Sequence, residues 1–337
     1  LVGYALRRLL LLIPVVLGAI TILFAAFYVL PGGSNKTAEL LAGGGSGRSV
    51  PPAILENVKK ANGLDQPIYV QYGRYLKRLA RGDLGKSYRT NRSVNDMLKQ
   101  FAPASLRLAF WAIVLEAVLG IGAGILSAVR KYSFADGMVT LLTTLALAIP
   151  VFVLGYLLQL TFAVYPNQHD WPQWARLEPQ RIGPNSWAFG VIPTGDQWRY
   201  LLLPAFALAC VGMAVVARLT RSTMLEVGEA DYIRTARAKG LAERTVVMKH
   251  TLRNALIPVV TLIGLDLGGL IGSAVLTETV FSWPGIGSAI ADGARGRDAP
   301  VVIGLTVVVI VAYVVVNLIV DLSYALLDPR IRYDSRK

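Results

Sequence analysis

Apolar residues in this chain gather into six long runs rather than short alternations, at about 9–30, 104–128, 137–165, 200–217, 255–280 and 300–327. As a helix rising 1.5 Å per residue, Leu9–Leu30 would extend about 33 Å, enough to cross the hydrocarbon of a bilayer. In lipid such a run satisfies its own backbone only as a helix or in a closed barrel. The pattern therefore predicts six transmembrane helices and an all-α membrane protein. Arg7 and Arg8 ahead of the first run resemble the start of a signal peptide. That run is too long for one, and Phe27–Pro31 offers no small-x-small cleavage site. The chain starts at Leu1 rather than Met, so a few preceding residues are expected.

Polar connections separate the runs. Within 31–103, Ile68, Tyr72, Tyr75, Leu76 and Leu79 recur at helical spacing while Arg74, Lys77, Arg78 and Arg81 take the other face. This predicts an amphipathic surface helix at the headgroup level, ended by a turn at Gly82-Asp83-Leu84-Gly85. Gly43-Gly44-Gly45-Ser46-Gly47 reads as a flexible linker. It lacks the spacing of a phosphate-binding loop. The loop 166–199 carries Trp171, Trp174, Trp187 and Trp198. These are interfacial anchors or a contact surface for an external partner. The chain divides into 1–30, the loop 31–103, a membrane core 104–327 and a tail 328–337.

Composition agrees with lipid as the solvent. Of 337 residues 54% are hydrophobic and 16% charged. Soluble domains carry about 25% charged residues. The net charge of +13 speaks to orientation and anionic headgroups, and nucleic acid is not an expected partner. Sixteen Lys and Arg fall before the first run, in the second and fourth connections, and in the tail. The two short opposite loops, 166–199 and 281–299, hold five. The bias places both termini in the cytoplasm. The twelve basic residues of the 31–103 loop lie in a connection too long for the rule to govern.

Two groups of residues are candidates for function. Glu229–Pro258 is a basic, polar segment lodged between two apolar runs. Its Ala236 and Gly240, four apart, would share one bare helix face that lets another backbone come close. Tyr232–Lys249 reads as a short helix docking into a partner, or as an amphipathic helix lying on anionic lipid. The second group is ionisable residues inside the runs: Glu116, Asp266 and Asp321. A proton-coupled carrier would use them as a relay, whereas a structural role would turn each into the bundle with a hydrogen-bond partner. Gly120, Gly122 and Gly124, and the Gly264/Gly268/Gly272 ladder with Gly269, favour close helix packing or line a pathway.

Catalytic constellations are missing. His169 and His250 are the only histidines and the expected topology puts them on opposite sides of the membrane. The single Cys210 permits no intrachain disulfide and argues against a cysteine metal site. There is no nucleotide-binding loop and no nucleophile elbow. The chain is not expected to be an enzyme, nor to hold a metal or cofactor. Three classes remain: a subunit of an ATP-driven importer, an ion-coupled secondary carrier, and a structural or assembly membrane protein. The inverted repeat with broken midplane helices that marks many carriers is not visible in the sequence.

Several stretches carry a family resemblance. They are Arg7-Arg8-Leu9, Gly63-Leu64-Asp65-Gln66-Pro67 and Arg81-Gly82-Asp83-Leu84-Gly85-Lys86-Ser87 in the first third. Further on come Asp231 to Gly240, Arg253-Asn254-Ala255-Leu256-Ile257-Pro258, Glu278 to Gly287, and Asp321 to Arg330. In this order they resemble the B-type membrane permease subunit of bacterial ABC importers of the dipeptide/oligopeptide/nickel class. The resemblance implies a type I importer permease in the bacterial inner membrane. Its partners would be a homologous second permease, two ABC ATPase subunits (one fused or heterodimeric pair included), an extracytoplasmic substrate-binding protein and membrane lipid. ATP and Mg would belong to the ATPases. The cargo would be di- or oligopeptides, with nickel chelate, glutathione or haem as alternatives in the same class. It also implies a coupling helix at about 231–249, with Glu229, Asp231, Tyr232, Arg234, Ala236, Arg237, Lys239 and Gly240 as contact residues. The general importer motif is E-A-A-x-x-x-G. Aligned on Ala236 and Gly240, this chain has Arg234 at the acidic position and Thr235 at the first Ala. Asp231 or Glu229 would then replace the carboxylate, or Arg234 would meet an acidic partner. Loop 166–199 exceeds the family norm, with Ile192-Pro193-Thr194-Gly195 matching only its last part.

Overall fold

A computed structural model describes residues 2–44, 50–172, 176–177 and 197–327. Parts of the glycine linker and most of the Trp-rich loop, including Trp174, Trp187 and Ile192–Gly195, lie outside the described residues, as does the tail from 328. The described chain is helical, with one isolated antiparallel bridge between Lys86 and Ser93.

The first apolar run is α1 (Val2–Phe24), which widens to π geometry over Ala25–Val29. In the polar connection come α2 (Ser34–Leu41), α3 (Pro52–Asn62) and α4 (Ile68–Ala80). α5 (Val94–Val129) begins well before the second apolar run. Next are α6 (Phe134–Ala148), α7 (Val151–Gln159) and the short α8 (Tyr165–Gln168). α9 (Gln197–Gly228) is followed by α10 (Asp231–Ala238) and α11 (Glu243–Thr245). α12 (Leu252–Val280), α13 (Ile286–Arg295) and α14 (Ala299–Leu327) complete the order.

The third predicted span is broken. α6 meets the run that begins with α7 (Val151–Gln168) at a bend of 110°. Ile149 is extended, with φ −90° and ψ 124°, because the ring of Pro150 excludes the helical conformation from the residue before it. Among the described residues five helices are long and apolar enough to cross a membrane, or six if the bent pair counts as one span.

The chain forms two compact units. One gathers Leu1–Ser105 and Pro284–Lys337. In it α4 does not lie loose. Tyr75 is buried against Phe24 and Tyr28 of the α1 segment, with ring centroids 5.5 and 5.7 Å away. Burial pushes the Tyr75 hydroxyl well above its usual pKa. The Gly63–Pro67 stretch is the turn that aims α4. Gly63 takes the left-handed conformation, φ 64°, that ends α3 without a Cβ penalty. Gln71 then donates to the carbonyls of Leu64 at 3.1 Å and Gln66 at 2.8 Å. Farther along, the Gly82–Gly85 turn is tied to α5 by Asn95, which accepts from Leu84 N at 3.1 Å. Ser87 donates to the buried carboxylate of Asp298, just before α14. Val94, Ala289, Val301 and Leu305 form the core beneath.

The other unit gathers Leu106–Arg181 and Phe189–Trp283. Its centre is α9, buried along one side by α12, α6 and α7. α5 approaches α9 closely because it carries glycines at 120 and 124. A Cβ on Gly120 would come 2.8 Å from Val216 Cγ1, and one on Gly124 would come 2.5 Å from Thr220 Cβ. Gly122, between them, faces open space, as does Gly272 of the α12 ladder. Small residues at helix contacts let dispersion and lipid entropy hold the bundle, since apolar burial gives nothing extra in hydrocarbon.

Candidate functional site

The polar segment after α9 is built as a compact, outward-facing knob. Asp231 opens α10 and complements the positive end of its dipole. Its helix is shorter than the sequence predicts. α10 ends at Ala238, and Gly240 takes φ 78°, so Tyr232–Lys249 is a helix, a turn and the start of a second helix. Gly240 stands here because the turn requires a left-handed residue. A Cβ there would meet nothing within 4 Å. Ala236 is buried with Ile233 and Val246 in the knob's own small core. The shared bare face expected for Ala236 and Gly240 is therefore absent.

What the knob presents outward is charge. Glu229, Asp231, Tyr232, Arg234, Arg237, Lys239 and Gly240 are all exposed. Arg237 donates to Glu243 through two nitrogens, at 2.8 and 3.2 Å, and to the Gly228 carbonyl at 3.4 Å. The hydrogen bonds it donates to Glu243 raise the already high pKa of Arg237, so its guanidinium stays charged. Arg234 lies 3.7 Å from Asp231, a loose exposed pair that leaves both groups available. The Tyr232 hydroxyl accepts from Asn254 at 2.9 Å and ties the knob to the foot of α12. A cleft of about 320 Å³, lined among others by Lys131, Glu229, Arg237 and Glu243, opens beside it.

The three intramembrane carboxyls have different surroundings. Asp321 sits opposite Arg8, accepting from Nε at 2.6 Å, and links the ends of α14 and α1. It is a structural ion pair. Glu116 of α5 and Asp266 of α12 are brought together across Gly212 of α9. A Cβ on Gly212 would lie 2.5 Å from Glu116 Oε2 and 2.6 Å from Asp266 Oδ2, so these two oxygens are within about 5 Å of each other. Both line a cavity of about 370 Å³ with Val151, Leu208, Leu262 and Ser273. Gly212 and Ser273 were not singled out from the sequence. A lone glycine inside the apolar run 200–217 was the available signal.

Another buried carboxyl escaped the sequence reading. Asp136, in the first turn of α6, accepts from Arg221 through both oxygens at 2.8 Å, from Ser127 and from Tyr132 N at 2.9 Å. Its sequence neighbours gave no hint of Arg221, 85 residues away. Among the described residues no group of three or more His, Cys, Asp or Glu is placed to hold a metal ion.

A helical core with five or six apolar spans and a charged knob on the polar segment after α9 is the architecture of an integral membrane protein. Residues 120–333 match the family described as "Binding-protein-dependent transport system inner membrane component", and residues 1–109 match the family of the N-terminal part of that system's membrane component. The chain belongs to this family of ABC importer permeases, integral to the inner membrane. It is 39% identical to the dipeptide transport system permease protein DppB of Alkalihalophilus pseudofirmus, over 98% of this chain and 99% of that one. It is 42% identical to the probable D,D-dipeptide transport system permease protein DdpB of Escherichia coli strain K12, over 95% and 94%. The glutathione transport system permease protein GsiC of the same strain is 35% identical over 98% and 99%. The family expected from the sequence motifs is the family found.

Proposed function

We propose that this permease conducts di- and oligopeptides, paired with a homologous permease, powered by two ATPase subunits that dock on the knob at 229–244, and fed by an extracytoplasmic binding protein. The observation that carries the reading is near-full-length similarity to relatives named for dipeptide transport. Glutathione, named for a more distant relative, is itself a small peptide and stays the second reading.

Energy has to enter from outside the chain, because no nucleotide-binding loop occurs in its sequence. ATP binding drives transport only if the ATPase contact differs between inward- and outward-facing states. The knob suits that task. It is continuous with α9 and tied to α12 by the Asn254–Tyr232 hydrogen bond, so a push on it would reach both helices. Its exposed face would offer Glu229, Asp231, Arg234 and Lys239 to a partner. Asp231 stands beside Arg234 and is the nearest substitute for the missing motif carboxylate. Both termini and the knob would lie on the cytoplasmic side.

Affinity purification in mild detergent tests this. Recovery of a second permease and ATPases, with hydrolysis stimulated by dipeptides and the binding protein, is the expected result. A chain recovered alone and without ATPase activity would overturn it. Stimulation by glutathione alone would move the cargo to the second reading.

A further inference from the structure

The Glu116–Asp266 cavity lacks something. Glu116 is 0% exposed, and neither of its carboxyl oxygens has a hydrogen-bond partner among the described residues. The polar group facing it is another carboxyl, which can only add repulsion while both are ionised. The residues lining the cavity include no Lys, Arg or His. Elsewhere a carboxyl has its donor: Asp321 has Arg8, Asp136 has Arg221 and Asp298 has Ser87. Buried charge is retained where it is paired or where it binds something. No described residue lining the cavity supplies a compensating positive charge, and there is room for one because position 212 is glycine.

From this geometry we infer that Glu116 and Asp266 form a binding site for a primary ammonium group, the N-terminal ammonium of a peptide in transit. The inference rests on the peptide-permease reading above. An ammonium carries three N–H donors and no acceptor, which suits two carboxyls facing a shared space. Ser273 offers a third acceptor in the same cavity, since its hydroxyl proton is directed to the Gly269 carbonyl at 3.2 Å and its lone pairs remain. No third Asp, Glu, His or Cys among the described residues joins the pair as a metal site would ask. The apolar remainder, Val151, Leu208, Val211, Val215, Leu262 and Leu270, would accept varied side chains without selecting among them.

The test uses the complete importer complex in lipid nanodiscs. Dicyclohexylcarbodiimide modifies carboxyl groups in an apolar membrane interior, and mass spectrometry reads its adducts at Glu116 and Asp266. Glycylglycine amide, with a free ammonium, should slow modification roughly tenfold, whereas N-acetylglycylglycine amide should not. Equal protection by both, or by neither, overturns the site. In parallel, the Glu116→Gln/Asp266→Asn double variant should assemble with its partners yet take up dipeptide roughly tenfold more slowly. Glu116→Asp should recover part of the rate. Uptake by the assembled double variant at the wild-type rate overturns the site as well. Failure of the broader reading is seen separately, as a complex that contains no ATPase.

Discussion

Asp136 and Glu116 are carboxyls of the same unit, 5% and 0% exposed, yet they are opposites. Asp136 is saturated with donors: a two-pronged Arg221, Ser127 and a backbone N–H. Glu116 has a second carboxyl and a cavity. Burial by itself says nothing about role. The partner decides: a carboxyl whose charge is answered within the fold holds helices together, and one whose charge is unanswered is available to a visitor.

Breaking the first arrangement should damage the fold. Asp136→Ala strands the Arg221 guanidinium, whose side chain is only 30% exposed, and unpins α6 from α9. A drop in Tm on the order of 5 °C is expected in detergent. The Glu116→Gln variant, which breaks no donor contact, should melt within about 2 °C of wild type. Equal losses for the two would erase the distinction between them.

Helix contacts sharpen the same contrast at shorter range. Gly124→Ala forces a Cβ to 2.5 Å from Thr220 Cβ and 2.7 Å from the Ala217 carbonyl. Overpacking of this kind costs about 1–3 kcal/mol. Gly122→Ala, two residues away and facing open space, should be neutral or slightly stabilising. Unfolding midpoints of the two purified variants check the pair.

Much of this was legible in the sequence, and the reasons differ by element. Long apolar runs report spans directly, because lipid leaves the backbone few alternatives. The amphipathic α4 and its terminating turn were legible for the same kind of reason, a period and two glycines. The break in the third span was not read, although Pro150 sits at it, because a proline inside an apolar run also occurs within unbroken helices; Pro14, Pro204 and Pro258 here do so. At the site, Glu116 and Asp266 stood out as ionisable residues in hydrocarbon. Their meeting across Gly212 did not, since 150 residues separate them and nothing local encodes the contact. Asp321 carried the same sequence signal and turned out to be paired.

Gly240 offers a smaller effect with a clear sign. At φ 78°, Gly240→Leu should cost about 1–2 kcal/mol locally and lower the peptide transported per ATP, while Gly240→Asn, which tolerates that backbone, should lose less. Equal uncoupling by both would show that a bare surface, not the turn, is what matters there. Smallest of all is Arg237→Ala. It removes an exposed pair worth at most about 1 kcal/mol, so stability should barely change, and any fall in coupling would report the lost brace to Gly228 and Glu243.

The most direct measurement is dipeptide uptake by the complete complex in proteoliposomes, with ATP and a proton uncoupler varied independently. Two facing carboxyls in hydrocarbon would also suit a proton relay, so this experiment separates the importer from the carrier. The account predicts uptake that requires ATP and survives the uncoupler. Uptake without ATP, driven by a proton gradient and abolished by the uncoupler, would contradict it.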